Sequence, residues 1–123
     1  MCIRDSFKAA HKAGVRLAMG TDSGVPFTRH GNNLDELQHL VEMGLSPQEA
    51  IRVSTLDSAR LLKLDNQIGS LDEGKNADLV VVDGNPLEDI AVLRAEGKIR
   101  RVVLNGKSVL DRDASQFLVG AGF

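Results

Sequence analysis

The apolar run Val15–Met19, "VRLAM", shows no strict alternation. That is the pattern of a strand covered on both faces in a parallel sheet, and it predicts a strand over 15–20. Before it, Phe7 to Lys12 reads as the end of a helix closed by Gly14. After it, residues 20–32, "GTDSGVPFTRHGN", carry turn chemistry at Gly20, Gly24, Pro26 and Gly31. A loop of that length is often functional. Leu34, Leu37, Leu40 and Val41 then fall on one face of a helix over 33–43, stopped by Gly44. "SPQE" opens the next helix, with Ser46 as N-cap, Pro47 at the first helical position and Glu49 completing a capping box. Its inward positions are Ala50, Ile51 and Val53, and a second short turn from near Thr55 is expected to bury Leu61, Leu62 and Leu64.

The pattern changes at Gly69. Glycines 69, 74 and 84 bracket the β-branched run Leu79–Val82, which predicts a strand between turns. Pro86 to Arg94 reads as a short helix. "IRRVVLNGKSVL", 99–110, predicts a hairpin, because Asn105-Gly106 suits a type I′ turn between two apolar strands. From Asp111 the chain reads as a tail. Asp78 and Asp83 flank a strand, where turn and edge polarity accounts for them.

Composition narrows the function classes. The 123 residues are 42% hydrophobic and 26% charged, with a formal net charge of −2. No basic face points to nucleic acid. With no Trp or Tyr and only four Phe, there is no stacking platform for single strands. The apolar runs are too short to span a bilayer, so no membrane partner is expected. A single cysteine, Cys2, allows no internal disulfide and fits a reducing compartment, which predicts a cytoplasmic location. "MCIRDS", 1–6, has no apolar rhythm leading into the helix end at Phe7. It matches the translation of an adapter used in shotgun sequencing libraries. The expectation is that residues 1–6 are non-native and that the natural gene was cut just upstream of Phe7; a short frayed native tail is the alternative.

Asp22 is the carboxylate that raises a chemical question. It follows the run 15–19 with two residues between. It could cap a turn with Ser23 and Gly24, or it could hold a metal ion. Three stretches bear on this: "GVRLAMGTDSG" (14–24), "HGNNLDELQHLVEMGLSPQEAIRVST" (30–55) and "IGSLDEGKNADLVVVDGNPLEDI" (68–90). In this order they resemble the C-terminal end of the metal-dependent amidohydrolase superfamily, most nearly its prolidase-like and imidazolonepropionase-like branch. One departure stands out. Where the family commonly has Thr-x-Asn-Ala-Ala, this chain has Thr55-Leu56-Asp57-Ser58-Ala59.

The resemblance implies an α/β fold: the C-terminal portion of a (β/α)8 TIM-type barrel, 7–67, followed by part of a small β-sandwich domain, 68–112, and a tail, 113–123. It implies a site at the C-terminal end of the eighth strand. There Asp22 would touch a divalent metal, zinc in most relatives, and act as general base. Thr21, Ser23 and Gly24 would shape the turn that aims it. His30 would reach substrate or pack on the loop base, and Arg29 would meet a substrate carboxylate. The family's other ligands, a His-x-His, a bridging Lys or Glu and two later histidines, have no counterpart here. His11 and His39 read as surface helical residues.

The implied activity is hydrolysis of amide, cyclic amide or dipeptide-like C–N bonds in a small-molecule substrate, by a parent protein that is a candidate homo-oligomer. This chain alone is expected to be inactive. A non-catalytic scaffold with the same barrel is the alternative. A stand-alone α/β binding module is disfavoured, because a lone parallel strand lacks neighbours on both edges.

Overall fold

The computed structural model describes residues 3–27 and 29–113. It is an α/β arrangement in which a helical layer precedes a small antiparallel sheet. Helix α1, Ile3–Lys12, ends where Gly14 takes φ +75° and its N–H bonds the His11 carbonyl at 3.0 Å. It begins four residues earlier than the apolar pattern indicates, running through Ile3–Ser6. Met1 and Cys2 lie outside the described residues.

The strand expected over 15–20 has no ladder among the described residues. Among the described residues this segment pairs with no strand, and it is half-buried only at Leu17, Ala18 and Met19. A strand is defined by its ladder, and a covered apolar run supplies no partner of its own. Leu17 and Met19 instead lay their side chains on the helical core.

Helix α2, Leu34–Glu42, buries Leu37 and Leu40, in accord with their spacing. Gly44, at φ +116°, turns the chain out of it. Helix α3, Pro47–Arg52, starts on the expected capping box: Glu49 N–H donates to Ser46 Oγ at 3.2 Å, and Ser46 N–H donates to Glu49 Oε2 at 2.8 Å. The Ser46 backbone N–H, and after it the Ser46 hydroxyl, hold the Glu49 carboxyl below its ordinary pKa. Its contribution to stability is therefore present above the ordinary carboxylate value and is lost as pH falls through the lowered one. Ser46→Ala is expected to cost about 1 kcal/mol at neutral pH. Glu49→Gln is expected to flatten the acid limb of the stability–pH curve. Urea midpoints measured from pH 3 to 7 check both.

A π-turn, Val53–Asp57, continues the chain without a break and leads into α4, Ser58–Leu61. Three hydroxyls line it: Ser54 donates to the Ala50 carbonyl, Thr55 to Ile51 and Ser58 to Val53, each at 2.7 Å. Such back-bonding loosens a helix and favours widened turns. The widened turn rotates α4 out of phase with α3. Ala59 becomes the buried residue, while Leu61, Leu62 and Leu64, expected inside, are 71%, 64% and 38% exposed. Lys63 adopts φ +59° past the helix end, and Leu64 N–H bonds back to the Ala59 carbonyl at 2.9 Å. The chain then returns across Ala59 at Gly69.

The core joins Leu37, Leu40, Leu45, Ala50 and Val53 with Ile90 from the second half of the chain. Each of its Leu, Val and Ile side chains contributes roughly 1.5–3 kcal/mol on full burial. Ile90 heads a 3₁₀ turn, Ile90–Leu93, shorter than the expected helix from Pro86. Asp89 caps it by accepting the Ala91 N–H at 2.9 Å. Arg94 then bridges to α2, with Nε 2.6 Å from Asp35 Oδ1 and a second bond to Gln38.

The sheet runs β1, Leu79–Val82, then β2, Ile99–Leu104, then β3, Lys107–Asp111, all antiparallel in that order. The hairpin turns at Asn105 and Gly106, with φ +49° and +76° as a type I′ turn requires. Asp78 stiffens it by accepting the Asn105 N–H at 2.6 Å. The tail begins later than expected: Asp111 closes β3 and pairs with Arg101 at 2.9 Å, and Asp113 pairs with Arg100. Residues 114–123 lie outside the described residues. Val80, Leu104 and Val109 are 52%, 58% and 61% exposed, so a second sandwich layer is not among the described residues.

Candidate functional site

The loop after Met19 is built around Asp22. Thr21 Oγ1 and Ser23 Oγ lie 2.8 Å apart in a hydrogen bond, and Ser23 donates its own proton to Asn33 Oδ1 at 3.2 Å. These hydroxyls cross-brace the residues on either side of Asp22 and tie them to the start of α2. Asn33, which sits where a helix cap belongs, makes no capping bond; its side chain serves the loop instead. That role has no signal in the sequence, because the two partners stand 10 residues apart.

Asp22 itself adopts φ +48°, the left-handed region that few non-glycine residues occupy, although Asp tolerates it better than most. Its side chain is exposed. Among the described residues its carboxylate takes no hydrogen bond and no ion pair, so it does not cap the turn it occupies. A strained backbone that presents an unpartnered carboxylate is a feature found at functional sites.

Gly24 comes next at φ +104°, and a Cβ there would stand 3.0 Å from His30 Nε2. The His30 ring is therefore seated against the Gly24 backbone, so that His30 closes the loop onto the Asp22 turn. Arg29 is exposed, and its side chain has no partner among the described residues. Phe27, to which the sequence pattern assigns no role, stands fully exposed on the same loop at φ +71°.

The remaining histidines stay on the surface. His39 Nδ1 is 3.5 Å from Glu42 Oε2, and His11 Nε2 is 4.0 Å from Glu49 Oε1. Among the described residues no three His, Cys, Asp or Glu side chains converge to hold a metal. Asp22 can offer one or two oxygens, whereas a zinc site needs about four ligands. The residues present thus fit one corner of a metal site and not a whole one. A cleft of about 360 Å³ opens between Gly31–Asp35 and Leu93–Gly97, but Asp22 does not line it, and Arg94 in its wall is already held by Asp35.

The profile of the amidohydrolase family matches residues 4–109. The ochratoxinase of Aspergillus niger is 36% identical over 104 residues, covering 83% of this chain and 21% of that protein. The imidazolonepropionase of Shouchella clausii is 30% identical over 106 residues, covering 85% of this chain and 24% of that one. A crystal structure of a Xaa-Pro dipeptidase with methionine in its active site superposes with a TM-score of 0.80 at 40% identity, covering 88% of this chain and 25% of its own. The chain thus spans about a fifth to a quarter of the length of these relatives.

Proposed function

The chain belongs to the amidohydrolase family, and from that premise we propose that it is the C-terminal part of a metal-dependent hydrolase acting on C–N bonds in small amide or dipeptide-like substrates. One observation supports the reading most: the turn holds Asp22 at φ +48°, braced on either side through Thr21, Ser23 and Asn33, with its carboxylate left for a group outside the described residues. The run 15–20 supports it from below. It is half-buried at Leu17, Ala18 and Met19 and has no ladder partner among the described residues, which fits the eighth strand of a (β/α)8 barrel whose neighbours come from another part of the protein. The bare apolar positions of the sheet fit a sandwich layer supplied in the same way.

In this reading Asp22 is one ligand of a site completed by residues beyond this chain. A divalent ion, zinc by preference, would polarise the scissile carbonyl and acidify a water when bound. Asp22 accepts a proton from the attacking water, holds it, and delivers it to the departing nitrogen. A carboxylate suits this because it is anionic at neutral pH and has two oxygens, one free to turn toward the leaving group. Thr21, Ser23 and Gly24 fix its aim. His30, seated on Gly24, would wall the substrate side, and Arg29 would meet a substrate carboxylate. The chain alone neither holds zinc tightly nor turns over substrate.

The full-length protein assayed on N-acyl amino acids and Xaa-Pro dipeptides, before and after chelation, tests this. Hydrolysis lost on chelation and restored by zinc is expected. No hydrolysis of any amide under metal-replete conditions would overturn it. Metal analysis of the isolated chain is expected to find no stoichiometric zinc.

A further inference from the structure

The Asp22 turn is anchored from behind by a residue outside its own loop. Ser58 Oγ is a single hydroxyl with one proton to give and two lone pairs to offer. It gives the proton to the Val53 carbonyl at 2.7 Å and accepts the Met19 backbone N–H at 3.0 Å. The first bond and the π-turn support each other: the span from Ser58 back to Val53 is five residues, which the widened Val53–Asp57 turn closes and the bond in turn favours. The second bond reaches across 39 residues of sequence. Among the described residues it is the only hydrogen bond made by the backbone over 16–20, where no ladder forms. Met19 lies three residues before Asp22, and Ser58 is itself half-buried, sheltered from competing water.

We propose that Ser58 is a positioning residue for Asp22: by bridging the Val53 carbonyl and the Met19 N–H, it sets the depth at which the segment delivers the Asp22 carboxylate. Among the described residues, Leu17 and Met19 bring the segment to the helical core through apolar contact, which is not directional and tolerates sliding along the helices. A hydrogen bond between two defined atoms does not slide. The clasp also joins two features that the apolar pattern does not show, the unpaired run and the π-turn. The catalytic consequence rests on the reading of Asp22 as proton carrier, but the clasp itself does not.

The test uses the full-length, metal-loaded protein with Ser58→Ala and Ser58→Thr. Alanine is the better helix former, so helical structure is retained, and amide exchange at Ala59 shows whether the widened turn keeps its phase. Amide hydrogen exchange is read at Met19 and, as a reference, at Leu40 within α2. Ser58→Ala is expected to speed Met19 exchange about tenfold or more while Leu40 is unchanged, and to lower kcat about tenfold with KM within twofold, the signature of a displaced catalytic group. Ser58→Thr, which keeps the hydroxyl, is expected to restore both. Unchanged Met19 exchange in Ser58→Ala overturns the clasp. Faster exchange with unchanged kcat overturns its positioning role. A wild-type protein that hydrolyses no amide, yet shows the Met19 effect, overturns the hydrolase reading and leaves the clasp standing.

Discussion

Asp22→Asn in the full-length protein is expected to lower kcat by about 10²–10⁴-fold with KM little changed, the range lost when a positioned acid–base group is removed. The substitution is chosen for what it preserves. Asn shares the short polar side chain that makes φ near +48° tolerable, so the turn keeps its shape. It also keeps the volume that faces solvent. What it removes is the ability to take a proton from water and give it up again. Asp22→Ala should be equally inactive and less stable, because alanine populates the left-handed backbone several-fold less readily than aspartate. Asp22→Gly should be equally inactive and no less stable, since glycine carries no such strain. Steady-state kinetics beside urea unfolding separate the three. An Asp22→Asn protein with near wild-type kcat would remove Asp22 from the chemistry.

Gly69→Ala is expected to destabilise the fold by about 2–5 kcal/mol, from two independent causes that add. Gly69 sits at φ +94°, where a side chain costs about 1–2 kcal/mol. Its added Cβ would also stand 2.8 Å from Ala59 Cβ and 3.0 Å from Leu56 Cα, against a backbone that has no freedom to retreat. Overpacking of that kind costs about 1–3 kcal/mol more. Gly74→Ala is the control. It shares a positive φ, at +86°, but nothing lies within 4 Å of its added Cβ, so only the backbone cost applies. Urea midpoints of the two variants should therefore differ clearly. Equal shifts would mean that the return of the chain across Ala59 is not tight. The consequence for function is direct, since Ala59 adjoins Ser58 and the same helix anchors the segment leading to Asp22.

The parts legible in the sequence are those decided by neighbours in the chain. The capping box at Ser46 and Glu49, the apolar face of α2 and the Asn105-Gly106 turn all depend on contacts within a few residues. They appear where the spacing places them. The failures share the opposite property. The run 15–20 has the composition of a covered strand, but pairing belongs to the partner, and no described strand lies beside it. The leucines after Thr55 have a core-forming composition, but three hydroxyls bonding back to carbonyls widen the helix and turn them outward. The local pattern puts Ile90 in a short helix, whereas its place in the core of α2 and α3 is set by where the 3₁₀ turn lands.

The candidate site divides along the same line. Sequence by itself determined the family and singled out Asp22, because a carboxylate just past an apolar run, in the company of two specific downstream stretches, is a linear pattern. Only the tertiary structure decided that this carboxylate stands on a left-handed backbone with no partner among the described residues, that His30 rests on Gly24, and that Asn33 and Ser58 brace the segment through bonds spanning 10 and 39 residues. The reason is physical: a residue's chemical type is written in the chain, but its hydrogen-bond partners and its exposure are properties of whatever folds against it.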